Sequence, residues 1–114
     1  MSAVEKSLKS VARAREIALA IKDSKDPYKS ALICRLEVQY SLSLLRNRFQ
    51  IETAPPKIKR SKIGTGFIFG QIGEFLSECE LLLKENKIEE AFAQLLSADL
   101  LLGRAIPIVR NESI

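Results

Sequence analysis

Hydrophobic positions along the chain recur at steps of three and four, the spacing of one face of an α-helix. The pattern is clearest in the last third, where large and small members alternate. These are Ile88, Ala91, Leu95, Ala98, Leu102, Ala105 and Val109. The alanines would let a neighbouring helix approach closely, so the segment is predicted to be a central helix of a bundle. Pro107 predicts that this helix ends near residues 104–106.

The first half of the chain predicts two more helices. The first covers residues 2–22, with Ser2 as the N-cap and Glu5 completing a capping box. A polar connector at 23–25 follows. The second covers about 27–48 and begins at Asp26–Pro27, an N-cap with a proline in the first turn.

One stretch inside the second helix permits two interpretations. Residues 36–44 alternate apolar and polar side chains, which is typical of a strand. The same stretch contributes to a helical i, i+4 row of Leu32, Leu36, Tyr40 and Leu44. The capped start and two arginines near the end favour the helix. A strand is the alternative.

A third helix is predicted over about 64–85, followed by a tight turn at Asn86–Lys87. Four glycines crowd its start, at 64, 66, 70 and 73, and glycine is a poor helix former. The helix is therefore expected either to begin later, near Gly70, or to use its glycines for close packing.

These elements predict an all-α fold, an antiparallel four-helix bundle in one domain covering residues 1–114. A hairpin at 2–48 is followed by a basic crossover at 49–63, which contains Pro55–Pro56, and by a second hairpin at 64–106. The last helix is apolar over more of its circumference than one neighbour covers. An exposed docking surface for a protein partner is therefore predicted at Leu96, Leu100 and Leu101, with a second copy of the chain as another occupant.

Charge is divided unevenly between the two halves. Residues 1–62 carry 14 Lys and Arg against 6 Asp and Glu, whereas residues 63–114 carry 4 against 8. A basic half suits a phosphate backbone or an acidic protein surface, although the two halves could simply attract each other. The candidate nucleic-acid-binding residues are Lys57, Lys59, Arg60, Lys62, Arg46 and Arg48. No aromatic residues interleave with them, and a solvated loop is the alternative.

Catalytic and metal-binding patterns are weak. The chain has no histidine, which removes the commonest general base and metal ligand, and its two cysteines are predicted to be buried free thiols. Asp99, set among leucines, is expected to pair with Arg13, Arg15 or Arg35. No enzyme activity, cofactor or metal is predicted. No membrane span or signal peptide is predicted either, so the expected location is the cytoplasm.

Two local resemblances bear on function. The segment GFIFGQIGEFLSE, residues 66–78, is similar to the helix–GxxG–helix core of KH nucleic-acid-binding domains. That resemblance implies a loop between Gly70 and Gly73 that clamps a phosphate backbone. The intervening Gln71 and Ile72 are not basic.

The second resemblance covers EFLSECELLLKENKIEEAFAQLLSADLLLGRA, Glu74 to Ala105. It looks like small archaeal helical-hairpin families and HEPN-type four-helix bundles. The resemblance implies a bundle that binds RNA, DNA or protein. HEPN nucleases use an arginine followed closely by a histidine, and the absence of histidine means that no nuclease activity is implied.

The function expected from the sequence is that of a non-catalytic accessory subunit or adaptor. Its partner would be a larger protein, preferably a nucleic-acid-processing enzyme, whose substrate the basic half could also contact. The alternative is an autonomous RNA- or DNA-binding protein that uses the crossover at 57–62.

Overall fold

The last helix forms the centre of the structure, as its alternating large and small residues predict. In a computed structural model that describes residues 1–54 and 64–112, this helix, α4, spans Ile88–Glu112. Six of its seven stripe residues are buried, and Ile88 is half-buried. The core around it contains the fully buried rings of Phe69 and Phe92.

Three helices precede α4. Helix α1 spans Ala3–Leu19 and leads through a 3₁₀ turn at Ile21–Asp23 into α2, which spans Pro27–Phe49. Helix α3 spans Thr65–Lys84. The described residues contain no strand. The prediction of an all-α bundle of two hairpins is confirmed, and the alternative of a strand at 36–44 is wrong.

The four helices occupy the corners of a square. Helix α1 packs on α2 and α3, and α4 packs on the same two helices, so α2 and α3 stand at diagonal corners. Every pair of neighbours is antiparallel. For α1 and α3, Arg15 Nε lies 2.8 Å from Glu80 Oε2, and further along, Leu19 packs on Gly73. Between α2 and α4, Arg35 pairs with Asp99, and Arg46, further along α2, lies over Phe92, which comes earlier in α4. These two helices therefore also run antiparallel.

Ion pairs join three of the neighbouring helix pairs. Arg35 Nε on α2 lies 3.2 Å from Asp99 Oδ1 on α4, which confirms the expected pairing of Asp99 with an arginine. Arg13 Nε lies 3.4 Å from Glu37 Oε2 across the α1–α2 contact. Both pairs are partly exposed to solvent, so each is expected to add little to stability.

The predicted end of the last helix and the predicted KH-like loop are both wrong, whereas the third helix lies close to its predicted range of 64–85. Helix α4 continues through Pro107 to Glu112. Proline cannot donate to the Gly103 carbonyl, yet the following turn is held against the bundle by buried Val109. Helix α3 runs without a break through Gly70 and Gly73, so the KH-like loop is also wrong.

Two of the glycines near the start of α3 lie against side chains from α1 and the turn after it. A Cβ atom on Gly73 would lie 2.8 Å from Leu19 Cδ2, the end of an exposed side chain that would have to shift. At Gly66 a Cβ atom would lie 3.0 Å from Lys22 Cε.

The predicted helix caps are confirmed. Ser2 Oγ accepts from the Glu5 amide at 3.1 Å, and Asp26 Oδ1 accepts from the Lys29 amide at 3.1 Å. The turn between α3 and α4 places Asn86 in the left-handed region, with a φ of 61°. From this residue the chain reverses, and the Lys87 amide donates to the Leu82 carbonyl at 2.8 Å.

Replacing the N-cap of α2 gives a first test of these local interactions. Asp26→Ala removes the acceptor of the Lys29 amide and is expected to lower the free energy of unfolding by about 1 kcal/mol. Asp23→Ala, which removes an exposed carboxylate from the same connection, is the control and should cost less than half as much. Urea unfolding followed by circular dichroism measures both. Equal losses would contradict the assignment of the cap.

Candidate partner-binding surface

The leucines predicted to form a docking surface on α4 lie largely inside the bundle. Leu96 is 8% exposed, Leu101 is 5% exposed and Leu100 is half-buried. The prediction of an exposed surface is therefore wrong for Leu96 and Leu101. The reason is that α4 has two neighbours, α2 and α3, and together they cover its wide apolar circumference.

The predicted nucleic-acid-binding residues are only partly described. Lys57, Lys59, Arg60 and Lys62 lie outside the described residues. Arg46 and Arg48 are exposed in the last turn of α2. The guanidinium carbon of Arg46 lies 5.4 Å from the centre of the Phe92 ring, and that of Arg48 lies 5.5 Å from the Phe49 ring. Both arginines thus pack against aromatic rings while their surfaces stay accessible.

An exposed apolar face occurs instead on α2. Its inner face contributes buried residues to the core, and these are Ala31, Cys34, Val38, Leu42 and Leu45. The opposite face carries Leu32, Ile33, Leu36 and Tyr40, which we call the outer α2 stripe. Leu36 is 65% exposed and Tyr40 48% exposed.

The geometry of a helix explains why both faces are apolar. Successive residues rotate by about 100°, so Val38 and Leu36 point in nearly opposite directions. The alternation at 36–44 that resembles a strand is therefore the pattern of a helix with two apolar faces. The sequence predicted the outer α2 stripe only as support for a helix, because the surplus apolar surface was expected on α4 instead. The i, i+4 row through Leu32, Leu36 and Tyr40 was the signal that could have found it.

The concentration of exposed apolar side chains on one helix distinguishes this face. Five of the ten large apolar side chains that are exposed in residues 1–54 and 64–112 belong to α2, and four of them form the stripe. Isolated exposed apolar residues such as Leu81 on α3 are normal, whereas a contiguous row on one helix marks an interaction surface.

The titratable groups in the core do not form a reactive site. Cys34 and Cys79 are buried free thiols, as predicted. Burial, followed by the charge of Glu37, raises the pKa of Cys34 to about 12, and burial followed by Glu80 raises that of Cys79 to about 12. Cys34 Sγ donates to the Ala14 carbonyl at 3.3 Å. Both sulfurs therefore stay protonated and unreactive near neutral pH.

Within the described part of the chain, no three His, Cys, Asp or Glu side chains come close enough together to hold a metal ion.

By length and hydropathy alone, α4 could span a membrane, and among the described helices it is the one that meets these criteria. Half of its most apolar window is buried in the bundle. A core helix of a soluble protein satisfies the same criteria.

No protein-family model, no curated protein and no solved structure matches this chain. The resemblance of residues 74–105 to HEPN-type bundles therefore stays a prediction.

Proposed function

We propose that this protein is a non-catalytic adaptor that binds a protein partner through the outer α2 stripe. The observation that carries the proposal is the exposure of Leu36 and Tyr40 on a helix whose opposite face is already buried in the core. A partner that covers these side chains would remove apolar surface from water, at about 25 cal/mol for each Å². No catalytic step is assigned: the chain has no histidine, and burial raises the pKa of both cysteine thiols to about 12.

The partner class we favour is a component of a nucleic-acid-processing complex. The support is the basic character of the first half of the chain, which could lie near a phosphate backbone while the outer α2 stripe holds the partner. The second candidate function is autonomous RNA or DNA binding. The exposed Arg46 and Arg48 at the end of α2, where the basic crossover begins, favour that alternative.

A matched pair of charge substitutions tests the proposal. Leu36→Glu places a carboxylate in the outer α2 stripe, and Leu81→Glu places one on α3 at the diagonal corner, where the leucine is 54% exposed. Both changes affect exposed positions, so both variants should fold, which circular dichroism checks. Leu36→Glu is expected to weaken partner binding by about tenfold or more, because an interface would have to bury an unpaired charge.

The measurement is quantitative affinity capture from a nuclease-treated lysate of the source organism with the wild type and both variants. Proteins retained by the wild type and by Leu81→Glu, but lost with Leu36→Glu, support the adaptor. Equal retention by all three proteins contradicts it. Loss of every partner after nuclease treatment contradicts it too and favours autonomous nucleic-acid binding.

A further inference from the structure

A row of positive charge lies beside the outer α2 stripe. Lys6, Lys9 and Arg13 are exposed on α1 and follow each other at steps of three and four, so they share one face. Arg13 reaches across to Glu37, the residue that follows Leu36 in the sequence. The row therefore lies on the side of α1 that borders the outer face of α2.

Contacts between α1 and α2 set the level of each charge along the stripe. Ser41 Oγ donates to the Ser7 carbonyl at 3.4 Å, which places Lys6 near the end of the stripe that contains Tyr40. The Arg13–Glu37 pair places Arg13 near Leu36. Packed helices lie about 8–10 Å apart, so a helix seated on the stripe would have one flank over this basic row.

Arg13 is already paired with Glu37, so the two lysines carry the unpaired positive charge of the row. Among the described residues, neither Lys6 nor Lys9 has an acidic group within 4.0 Å. Residues 1–54 carry ten Lys and Arg against six Asp and Glu, a net charge of +4 for the α1–α2 hairpin. A ligand that covers this face gains from negative charge on the flank next to α1.

We propose that the occupant of the outer α2 stripe is an acidic amphipathic helix of a partner protein. This inference rests on the adaptor function proposed above and specifies its ligand. The apolar residues of the partner helix pack on Leu36 and Tyr40, and its carboxylates face Lys6, Lys9 and Arg13. The arrangement is a helix-in-groove interaction with one charged edge.

Charge also argues against the other occupants of this face. A second copy docked through the same face would bring another hairpin of net charge +4, with its own basic row, against the first, and like charges across an interface are unfavourable. The phosphates of a nucleic acid would neutralise the lysines, but they would leave the apolar side chains of the outer α2 stripe exposed to water. The stripe and the row together fit an acidic protein helix better than they fit either alternative.

Photo-crosslinking identifies the occupant directly. Tyr40→p-benzoylphenylalanine in the full-length protein places the crosslinker on the stripe, and the captured segment is identified by mass spectrometry from the lysate. A segment from another protein, with apolar residues at steps of three and four and an excess of Asp and Glu, is the expected result. A basic or neutral segment, a second copy of this chain, a nucleic acid or a lipid would each overturn the inference.

The captured segment, made as a synthetic peptide, then tests the charge contribution. Lys6→Glu/Lys9→Glu is expected to weaken its binding by about tenfold at low salt, and less at 0.5 M salt, where screening is strong. Lys25→Glu/Lys84→Glu, which makes the same charge change at exposed positions away from the row, is the control. Equal affinities for both double variants would overturn the inference.

The two experiments separate this inference from the adaptor function. If Leu36→Glu abolishes capture but the crosslinked segment is not acidic, the adaptor function stands and the acidic helix is wrong. If no polypeptide crosslinks at Tyr40 and capture is insensitive to Leu36→Glu, both proposals are wrong.

Discussion

Leu45→Ala is expected to lower the free energy of unfolding by about 2–5 kcal/mol, whereas Leu36→Ala is expected to change it by less than about 0.5 kcal/mol. The two leucines belong to the same helix, so the substitution and its effect on helix propensity are the same. Leu45 has no exposed surface and its truncation leaves a cavity in the core, but Leu36 is 65% exposed.

Urea unfolding of the purified protein measures both values. The comparison is informative because it tests whether Leu36, part of a contiguous exposed apolar row, is uncovered in the protein alone. A loss for Leu36→Ala close to that for Leu45→Ala would show that the outer α2 stripe is already covered in solution. The oligomeric state at the same concentration would then decide whether a second copy covers it.

Local features of the fold could be predicted from the sequence because they depend on neighbouring residues. The caps at Ser2 and Asp26 and the turn at Asn86 depend on a few adjacent groups, and each is found in the structure. The stripe of α4 depends only on helical periodicity. Antiparallel hairpins follow from short connections between amphipathic helices.

The covered and exposed faces could not be predicted, because they depend on how many neighbours each helix has. The apolar width of α4 indicated surplus surface, but the square arrangement gives α4 two neighbours and encloses Leu96 and Leu101. Helix α2 also has two neighbours, yet it carries a second apolar face opposite the one that they cover. The surplus surface therefore lies at Leu36 and Tyr40 and not on α4.

Ion pairs between residues distant in sequence could not be predicted from local patterns either. Asp99 required an arginine partner, and three arginines were suitable by charge alone. The antiparallel packing of α2 on α4 places Arg35 opposite Asp99, whereas Arg13 pairs with Glu37 and Arg15 pairs with Glu80. The register of α2 against α4 therefore determines which arginine pairs with Asp99, and no local sequence pattern specifies that register.

The stability of the fold is expected to fall steeply above pH 9 because of its two buried thiols. In the folded protein, burial raises the pKa of both Cys34 and Cys79 from 9.0 to about 12. Below pH 9 both thiols are protonated whether the chain is folded or unfolded, and their full contribution to stability is present. Between pH 9 and about 12 the unfolded chain releases protons that the folded chain retains, so the equilibrium shifts toward unfolding.

The size of this effect follows from linkage. Each thiol contributes a slope of about 1.4 kcal/mol per pH unit in that window, so the two together lower the free energy of unfolding by about 2.7 kcal/mol per unit. A fall of this size over two units approaches the whole stability of a small domain.

Urea unfolding at half-unit intervals from pH 8 to pH 11 measures the slope for the wild type and for Cys34→Ala/Cys79→Ala. Near neutral pH the double variant is less stable, because each alanine leaves a small cavity, but its slope above pH 9 should be much shallower. The remaining titratable groups are the same in both proteins, so the difference between the slopes isolates the thiols. Each single cysteine variant should remove about half of that difference. Parallel curves for the wild type and the double variant would contradict the prediction and show that the thiols titrate alike in the folded and unfolded chain.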